Sequence, residues 1–219
     1  MVTLVSINIK SDFGFLKKPD TNDPIYLTFN MLHKPCLLGI LGAIVGEKGF
    51  HNYGMMPEYY QKLKGIKVSM APLKENGKTY HENGNFTKTV IKYNNTTGLA
   101  SEEESGNLMI TEQTLVAPAF KCWILLNLEC EIEAKLYNFL KENKAEYLPY
   151  LGKNEFSLWW DNFNEYEYEP FYPNKEFQIN SLFIKEETVK EGQIKARFIP
   201  GILSMSEKKF IYFERLHIG

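Results

Sequence analysis

The chain has 219 residues, of which 44% are hydrophobic and 24% charged, proportions typical of a soluble globular protein. Its net charge of −2 argues against a protein that coats nucleic acid indiscriminately, and no segment approaches the roughly 20 apolar residues of a membrane span. Cys36, Cys122 and Cys130 match no zinc-binding spacing. These features predict buried, reduced thiols in a cytoplasmic protein without a membrane partner.

The two halves of the chain differ in charge. Residues 1–100 contain 12 lysines and 7 acidic residues, an excess of five positive charges. Residues 101–219 contain 13 lysines or arginines and 20 acidic residues, an excess of seven negative charges. This asymmetry fits a protein that meets a phosphate chain with one half and something else with the other.

The first hundred residues begin with a strand and an apolar helix. Thr3–Lys10 alternates between apolar and polar residues, which predicts a half-buried strand. The segment from Pro35 to Val45 is apolar on every side, so we expect a buried helix. Gly39 and Gly42 each cost this helix about 1 kcal/mol relative to Ala, which indicates that another backbone comes close.

Residues 74–116 have a different character. Asn-Gly pairs mark turns, and Phe86–Tyr93 and Asn107–Leu115 form two extended arms around a polar tip. This pattern predicts a long, protruding β-hairpin.

The remaining predicted elements complete two βαβ units. Ile66–Leu73 and Ala119–Leu128 have the pattern of strands, Glu129–Asn143 that of an amphipathic helix, and Ala145–Leu151 that of a fourth strand. The order β-α-β, hairpin, β-α-β predicts an α+β, ferredoxin-like domain over 1–154, with the hairpin inserted at about 74–116. Residues 155–219 contain short extended runs, which indicate a smaller β-rich region.

Several motifs in residues 1 to about 165 are specific when taken together. They are FGFLKKP from Phe13, YLT from Tyr26, HKPCLLGILGA from His33, KYNNTTG from Lys92, ITEQT from Ile110, YLPYLGKN from Tyr147 and FSLWW from Phe156. With these motifs the chain closely resembles the CRISPR-associated "Cas five" family of type I Cascade complexes, and within it the I-B branch.

The resemblance implies an RNA-recognition-type ferredoxin fold of the RAMP superfamily and a role in antiviral defence. Members cap the 5′ handle of the guide RNA (crRNA), and their inserted hairpin, the thumb, kinks the RNA beside the first guide position. The implied partners are the crRNA handle and the backbone and large subunits of Cascade, with target DNA as a further candidate inside the complex.

The predicted RNA-binding residues combine cations, aromatic rings and small polar groups. Lysines can track the RNA backbone, tyrosines can stack on bases, and Asn or Thr can read base edges or the 2′-hydroxyl. Gly152 would let the backbone approach a phosphate. The full set is Lys17, Lys18, Tyr26, Asn30, His33, Lys34, Lys92, Tyr93, Asn94, Asn95, Thr96, Thr97, Gly152, Lys153 and Asn154. Taken singly, Lys17–Lys18 and the Asn94–Gly98 tip are more typical of solvated loops, and only the resemblance favours RNA contact.

Two other functions stay open. Tyr26, His33 and Lys34 could cleave RNA without metal, as the I-C branch does with a tyrosine in its first half and a later Lys–His pair. This chain has no Lys–His pair after residue 100, so we expect a non-catalytic protein, with precursor-crRNA cleavage as the alternative. An interaction protein without RNA would show no salt-dependent, handle-dependent binding.

The predicted partner interface follows residue 155. Trp159, Trp160 and Phe163 are large aromatic residues of the kind that anchor subunit contacts. Asp161 and Glu165, with Glu167 and Glu169, alternate along the same stretch, which is typical of a solvated strand face rather than a metal site. G-x-G-x-x-G is absent, and the sequence predicts neither a metal nor a cofactor.

Overall fold

In the computed structural model, two α-helices pack on one face of a four-stranded sheet, and a smaller sheet carries a protruding hairpin. The structure describes residues 1–18, 25–50, 55–75, 78–79, 86–95 and 108–168, together with three strands near the C-terminus. The helices are α1 (Lys34–Val45), α2 (Glu58–Leu63) and α3 (Glu131–Glu142). The strands are β1 (Val2–Ser11), β2 (Phe13–Gly14), β3 (Ile25–Tyr26), β4 (Lys67–Pro72), β5 (Lys74–Glu75), β6 (Lys78–Thr79), β7 (Lys88–Asn95), β8 (Leu108–Val116), β9 (Ala119–Asn127), β10 (Leu158–Tyr166), β11 (Leu182–Ile184), β12 (Leu203–Met205) and β13 (Lys208–Tyr212).

The four-stranded sheet has the order β10-β1-β9-β4, and every neighbouring pair is antiparallel. Cys122 of β9 lies opposite both Ile7 of β1 and Met70 of β4, which fixes the register of three strands. The chain order β1-α1-β4 followed by β9-α3-β10 gives the ferredoxin-like topology. The predicted fold class is confirmed.

The core lies between this sheet and helices α1 and α3. Alternation on the two central strands turns one apolar row toward the helices, and these side chains have at most 1% of their surface exposed: Val5, Ile7, Ile9, Phe120, Cys122, Ile124 and Leu126. Burial of each large side chain contributes about 1.5–3 kcal/mol to folding. Burial also raises the pKa of the Cys36 thiol to about 12 and, with a smaller effect of Cys36, raises the pKa of Cys122.

Helix α1 is buried as predicted. His33 caps it in an extended conformation, Pro35 lies in the first turn, and Gly46 ends it in the left-handed region with φ 86°. The expected close approach at Gly42 is made by a side chain rather than a backbone. A Cβ there would lie 2.5 Å from Cβ of Tyr59 on α2.

The predicted fourth strand, Ala145–Leu151, is wrong. The fourth strand is β10, which pairs with β1 from Ser11↔Leu158 to Leu4↔Tyr166. Its pairing shifts register between Ser6 and Asn8 of β1, and Asn162 has φ 53°. The sheet therefore extends beyond residue 154, the predicted end of the domain, and the division of the chain into two domains stays a prediction.

The predicted hairpin is confirmed for its two arms. Strand β7 pairs antiparallel with β8 from Lys88↔Leu115 to Asn95↔Leu108, and residues 96–107 lie outside the described part of the chain. Strand β8 also pairs with β2 and, in parallel, with β3. Ala117 and Pro118 then join β8 directly to β9, the central strand of the larger sheet.

Strands β11, β13 and β12 form a separate antiparallel sheet in that order. They lie in the region predicted to be β-rich. Within the described residues, no helix is both long and apolar enough to cross a membrane.

Candidate nucleic-acid interface

Two lysines lie over aromatic rings where the chain enters and leaves the 19–24 segment. The backbone amide of Lys18 donates to Leu27 O at 2.9 Å, and that of Phe29 donates to Leu16 O at 2.7 Å, so the flanking segments run side by side. Lys17 Nζ lies 4.1 Å from the centre of the Tyr26 ring, and Lys18 Nζ lies 5.7 Å from the centre of the Phe29 ring. The fold thus brings Lys17, Lys18 and Tyr26 together, as the sequence predicted for an RNA-binding surface.

Lys88, at the start of β7, extends this basic group. Desolvation is the main cause that lowers the pKa of Lys88, and the neighbouring charge of Lys18 lowers this pKa further. Neighbouring ammonium groups raise the local positive potential, which favours contact with anions. Sequence analysis missed Lys88, although its place near the start of the predicted arm Phe86–Tyr93 was an available signal. We call Lys17, Lys18, Tyr26 and Lys88 the basic corner.

The hairpin presents a mixed polar and apolar outer face beside the basic corner. Alternation places Val90, Lys92 and Asn94 on one side of β7, and the cross-strand partner of Asn94 is Met109. Val90 is 54% and Met109 60% exposed. Lys92 is exposed too, whereas the side chain of Asn95 and residues Thr96 and Thr97 lie outside the described structure.

Lys153 lies near Tyr26, whose register partner on β8 is Glu112, and uses its charge inside the protein. Its Nζ is 2.7 Å from both carboxylate oxygens of Glu112, a residue with 2% exposure, and 2.8 Å from the hydroxyl of Tyr93. Desolvation alone would lower the pKa of Lys153, but the hydrogen bonds to Glu112 and Tyr93 outweigh it, and the pKa is raised. We refer to Lys153, Glu112 and Tyr93 as the Lys153 cluster. Its lysine is committed to an internal ion pair, which the sequence did not predict.

The backbone at Gly152 lies close to the backbone of Phe15. Its φ is 89°, and a Cβ there would overlap the carbonyl oxygen of Phe15. The amide of Phe15 donates to Leu151 O at 3.0 Å in the same contact. The packing of this loop on the segment after β2 therefore requires glycine here, whereas the approach of this backbone to a phosphate stays a prediction. Asn154 is exposed in the turn that follows.

His33 and Asn30 have structural contacts. His33 is 8% exposed, and its Nδ1 accepts the amide of Cys36 at 3.3 Å, which caps α1. Burial lowers its pKa to about 4, so the imidazole is neutral at pH 7. Asn30 Oδ1 accepts the amide of Phe86 at 3.2 Å and so holds the base of the hairpin. Lys34 is half-buried at the first turn of α1.

The three aromatic residues predicted to bind a partner have different surroundings. Trp160 Nε1 donates to Leu140 O at 3.0 Å, and the Phe163 ring lies 5.5 Å from that of Tyr137, so both pack against α3. Trp159 is 46% exposed and lines a cleft of about 370 Å³ with Leu148, which is 73% exposed. Of the three, only Trp159 is largely exposed, and the partner interface stays a prediction.

The acidic residues of β10 are paired with cations. Asp161 forms an ion pair with Lys10 at 3.0 Å, and Glu165 accepts from Tyr137 at 2.7 Å and lies 3.4 Å from Lys141. Among the described residues, no group of three or more His, Cys, Asp or Glu side chains is arranged to hold a metal.

Comparison with known proteins identifies the fold but no family. No protein-family model matches the sequence, and no curated protein matches it. A chain of a CRISPR RNA-guided surveillance complex aligns with a TM-score of 0.52 and 9% identity over 97% of this chain and 90% of its own length. A chain of the Type III-B Cmr-beta complex bound to cognate target RNA and AMPPnP aligns with a TM-score of 0.54 and 8% identity, covering 97% and 86% respectively. At these identities the likeness establishes a shared fold.

Proposed function

We propose that this chain is a non-catalytic RNA-binding subunit of a type I, I-B-like Cascade complex and that it caps the 5′ handle of the crRNA. The observation that carries the proposal is the basic corner beside the hairpin. It combines lysines for phosphates with a ring for base stacking, the two contacts that single-stranded RNA needs. The shared fold with chains of RNA-guided complexes supports it.

The hairpin is the part of the chain best suited to displace a base. Its outer face exposes Val90 and Met109 next to Lys92, so apolar side chains are available to press against bases while a cation contacts the backbone. The backbone and large subunits would bind elsewhere, with Trp159 and Leu148 as the surface that we assign to a neighbouring subunit. Target DNA would contact this chain only within the assembled complex.

Binding without cleavage is the form of the proposal that the geometry favours. Cleavage of precursor crRNA by Tyr26, His33 and Lys34 would need a histidine that can exchange protons with the RNA. The buried Nδ1 of His33 accepts a backbone hydrogen bond, and its low pKa makes it a weak base. His51, His81 and His217 lie outside the described residues.

A binding assay with a matched control tests the proposal. The probe is a synthetic RNA with the repeat-derived 5′ handle, and the comparison RNA has the handle scrambled. The chain, purified with its backbone subunit, should prefer the intact handle and lose affinity as salt rises. The variant Lys17→Met/Lys88→Met should lose about tenfold in affinity, whereas Lys144→Met, which removes an exposed lysine just after the end of α3, should not.

Two results would contradict the proposal. Equal affinity for the intact and scrambled handles would show that the chain does not recognise the handle, and the capping proposal would fail. Specific cleavage of repeat RNA in EDTA, abolished by His33→Ala, would establish the enzyme instead.

A further inference from the structure

The Lys153 cluster joins both arms of the hairpin to the larger domain. Tyr93 belongs to β7 and Glu112 to β8, whereas Lys153 lies in the loop that leads into β10. The Tyr93 hydroxyl is 3.3 Å from Glu112 Oε2, so the three side chains form a closed ring of hydrogen bonds. Lys153 Nζ also lies 4.6 Å from the centre of the Tyr93 ring. One side chain of the loop therefore holds both strands.

The loop that carries Lys153 is itself fixed to the four-stranded sheet. The amide of Leu151 donates to Phe156 O at 2.8 Å, and the amide of Phe156 donates to Lys153 O at 2.9 Å. The amide of Leu158, the first residue of β10, donates to Pro149 O at 3.1 Å. Contact between Gly152 and Phe15 leaves no room for the loop to shift toward β2. The backbone that carries the Lys153 side chain is therefore held in a defined position.

The hairpin is joined to the rest of the domain by few backbone contacts. Only Ala117 and Pro118 separate β8 from β9, and β8 pairs with two residues each of β2 and β3. Rotation of the ribbon beyond these short pairings would move Lys92 relative to Lys17 and Lys18. The contact of Lys153 with Tyr93 and Glu112 opposes that rotation.

We propose that Lys153, Glu112 and Tyr93 are positioning residues that set the angle of the hairpin over the bound RNA. This inference rests on the proposed RNA-binding function, and it reassigns Lys153 from a phosphate ligand to an internal anchor. A buried carboxylate near RNA would repel phosphates, and pairing with Lys153 cancels that charge. The RNA then meets a hairpin held at one angle, and less binding free energy is spent on ordering it.

The two roles of Lys153 predict opposite effects of changing Glu112. If Lys153 binds phosphate, Glu112→Gln frees its charge and tightens RNA binding. If Lys153 anchors the hairpin, Glu112→Gln breaks the anchor and weakens RNA binding. Lys153→Met weakens binding in both cases, so the carboxylate variant separates them.

The experiment measures hydrogen exchange of the free chain and its affinity for the synthetic handle RNA. We expect Lys153→Met and Glu112→Gln each to speed exchange of β7 and β8 amides about tenfold and to weaken RNA binding about tenfold, because each breaks a buried ion pair. The double variant should resemble either single variant, since both remove the same interaction. Amides of β1 serve as the internal reference, and Lys144→Met is the charge-matched control.

A milder variant keeps the test valid if an unpaired buried charge prevents folding. Tyr93→Phe removes one hydrogen bond and no charge, and we expect about threefold faster exchange in the hairpin. Tighter RNA binding by Glu112→Gln, or unchanged hairpin exchange in Lys153→Met and Tyr93→Phe, would overturn the inference. If the wild-type chain does not bind the RNA, the proposed function fails, whereas the exchange data still decide whether the cluster holds the hairpin.

Discussion

The four-stranded sheet and the hairpin-bearing sheet are stabilised in different ways. Ile7, Phe120 and Leu140 of the larger unit are completely buried among apolar neighbours. In the smaller sheet, β8 contributes Leu115 to the same core but also buries the polar side chains of Glu112 and Thr114, and the Oγ1 of Thr114 has no hydrogen-bond partner among the described residues. The outer face of the same hairpin exposes Val90.

This difference shows how one chain separates stability from recognition. Apolar burial is insensitive to small rotations, so it suits a scaffold. Hydrogen bonds and ion pairs are directional, so they suit a part whose angle matters. The exposed outer face of the hairpin, which we assign to RNA, is therefore the part that can be altered with little effect on the core.

The largest effect should follow truncation in the scaffold. Ile7→Ala removes a completely buried side chain from a central strand and should lower the free energy of unfolding by about 2–5 kcal/mol in urea denaturation. Val90→Ala, on the exposed face of the hairpin, should change it by less than about 0.5 kcal/mol. Equal losses would mean that the outer face of the hairpin is packed against apolar neighbours rather than exposed.

Acid should weaken the scaffold through His33. Its pKa is about 4 in the folded chain and 6.5 when unfolded, so between these values the unfolded state binds more protons. Stability should fall by about 3 kcal/mol as pH drops from 6.5 to 4. His33→Asn keeps an N-cap residue without titrating, and it should flatten this dependence in urea denaturation measured at several pH values. An unchanged slope would assign the acid sensitivity to other groups.

The two glycines of α1 should respond in opposite directions. Gly42→Ala forces a Cβ to within 2.5 Å of Cβ of Tyr59 and should destabilise the chain by about 1–3 kcal/mol. At Gly39 a Cβ would lie 3.4 Å from the Tyr59 hydroxyl, so Gly39→Ala should be neutral or gain up to about 1 kcal/mol of helix propensity. Thermal unfolding of both variants checks the sign. Similar melting temperatures for the two would contradict the close contact at Gly42.

The smallest effect should come from the outer face of the hairpin. Lys92→Met should weaken RNA binding by about threefold and reduce the slope of log affinity against log salt by about 1, with unchanged stability. Lys144→Met should leave that slope unchanged. The measurement is a salt titration with the handle RNA, and an unaltered slope for Lys92→Met would remove this face from the RNA surface.

Much of the scaffold could be predicted because its strands and helices follow simple periods. Thr3–Lys10 and Ala119–Leu128 alternate cleanly since one face is buried, and α1 is recognisable by its apolar run. Strand β10 could not be found this way. Trp159 and Trp160 are adjacent, so each face of the strand carries a large apolar side chain there. The irregular pairing near Asn162 then breaks the period of two.

The candidate site was predictable only where its parts are neighbours in sequence. Lys17, Lys18 and Tyr26 lie within ten residues, and their approach follows from a short connection. Glu112 and Lys153 are 41 residues apart, and their pairing depends on how the loop before β10 packs on strand β8. Likewise, the sequence could not tell an aromatic residue that binds another subunit from one, such as Trp160, that packs on its own helix.

The core also contains a chemical reporter of its own opening. Cys122 is completely buried on the central strand β9, and its raised pKa keeps it in the thiol form, whereas disulfide reagents react with the thiolate. Cys130, at the start of α3, is partly exposed and provides a fast reference in the same molecule. The rate at which Cys122 is modified in the unaltered chain therefore measures how often the scaffold opens. Rotation of the hairpin should leave this rate unchanged.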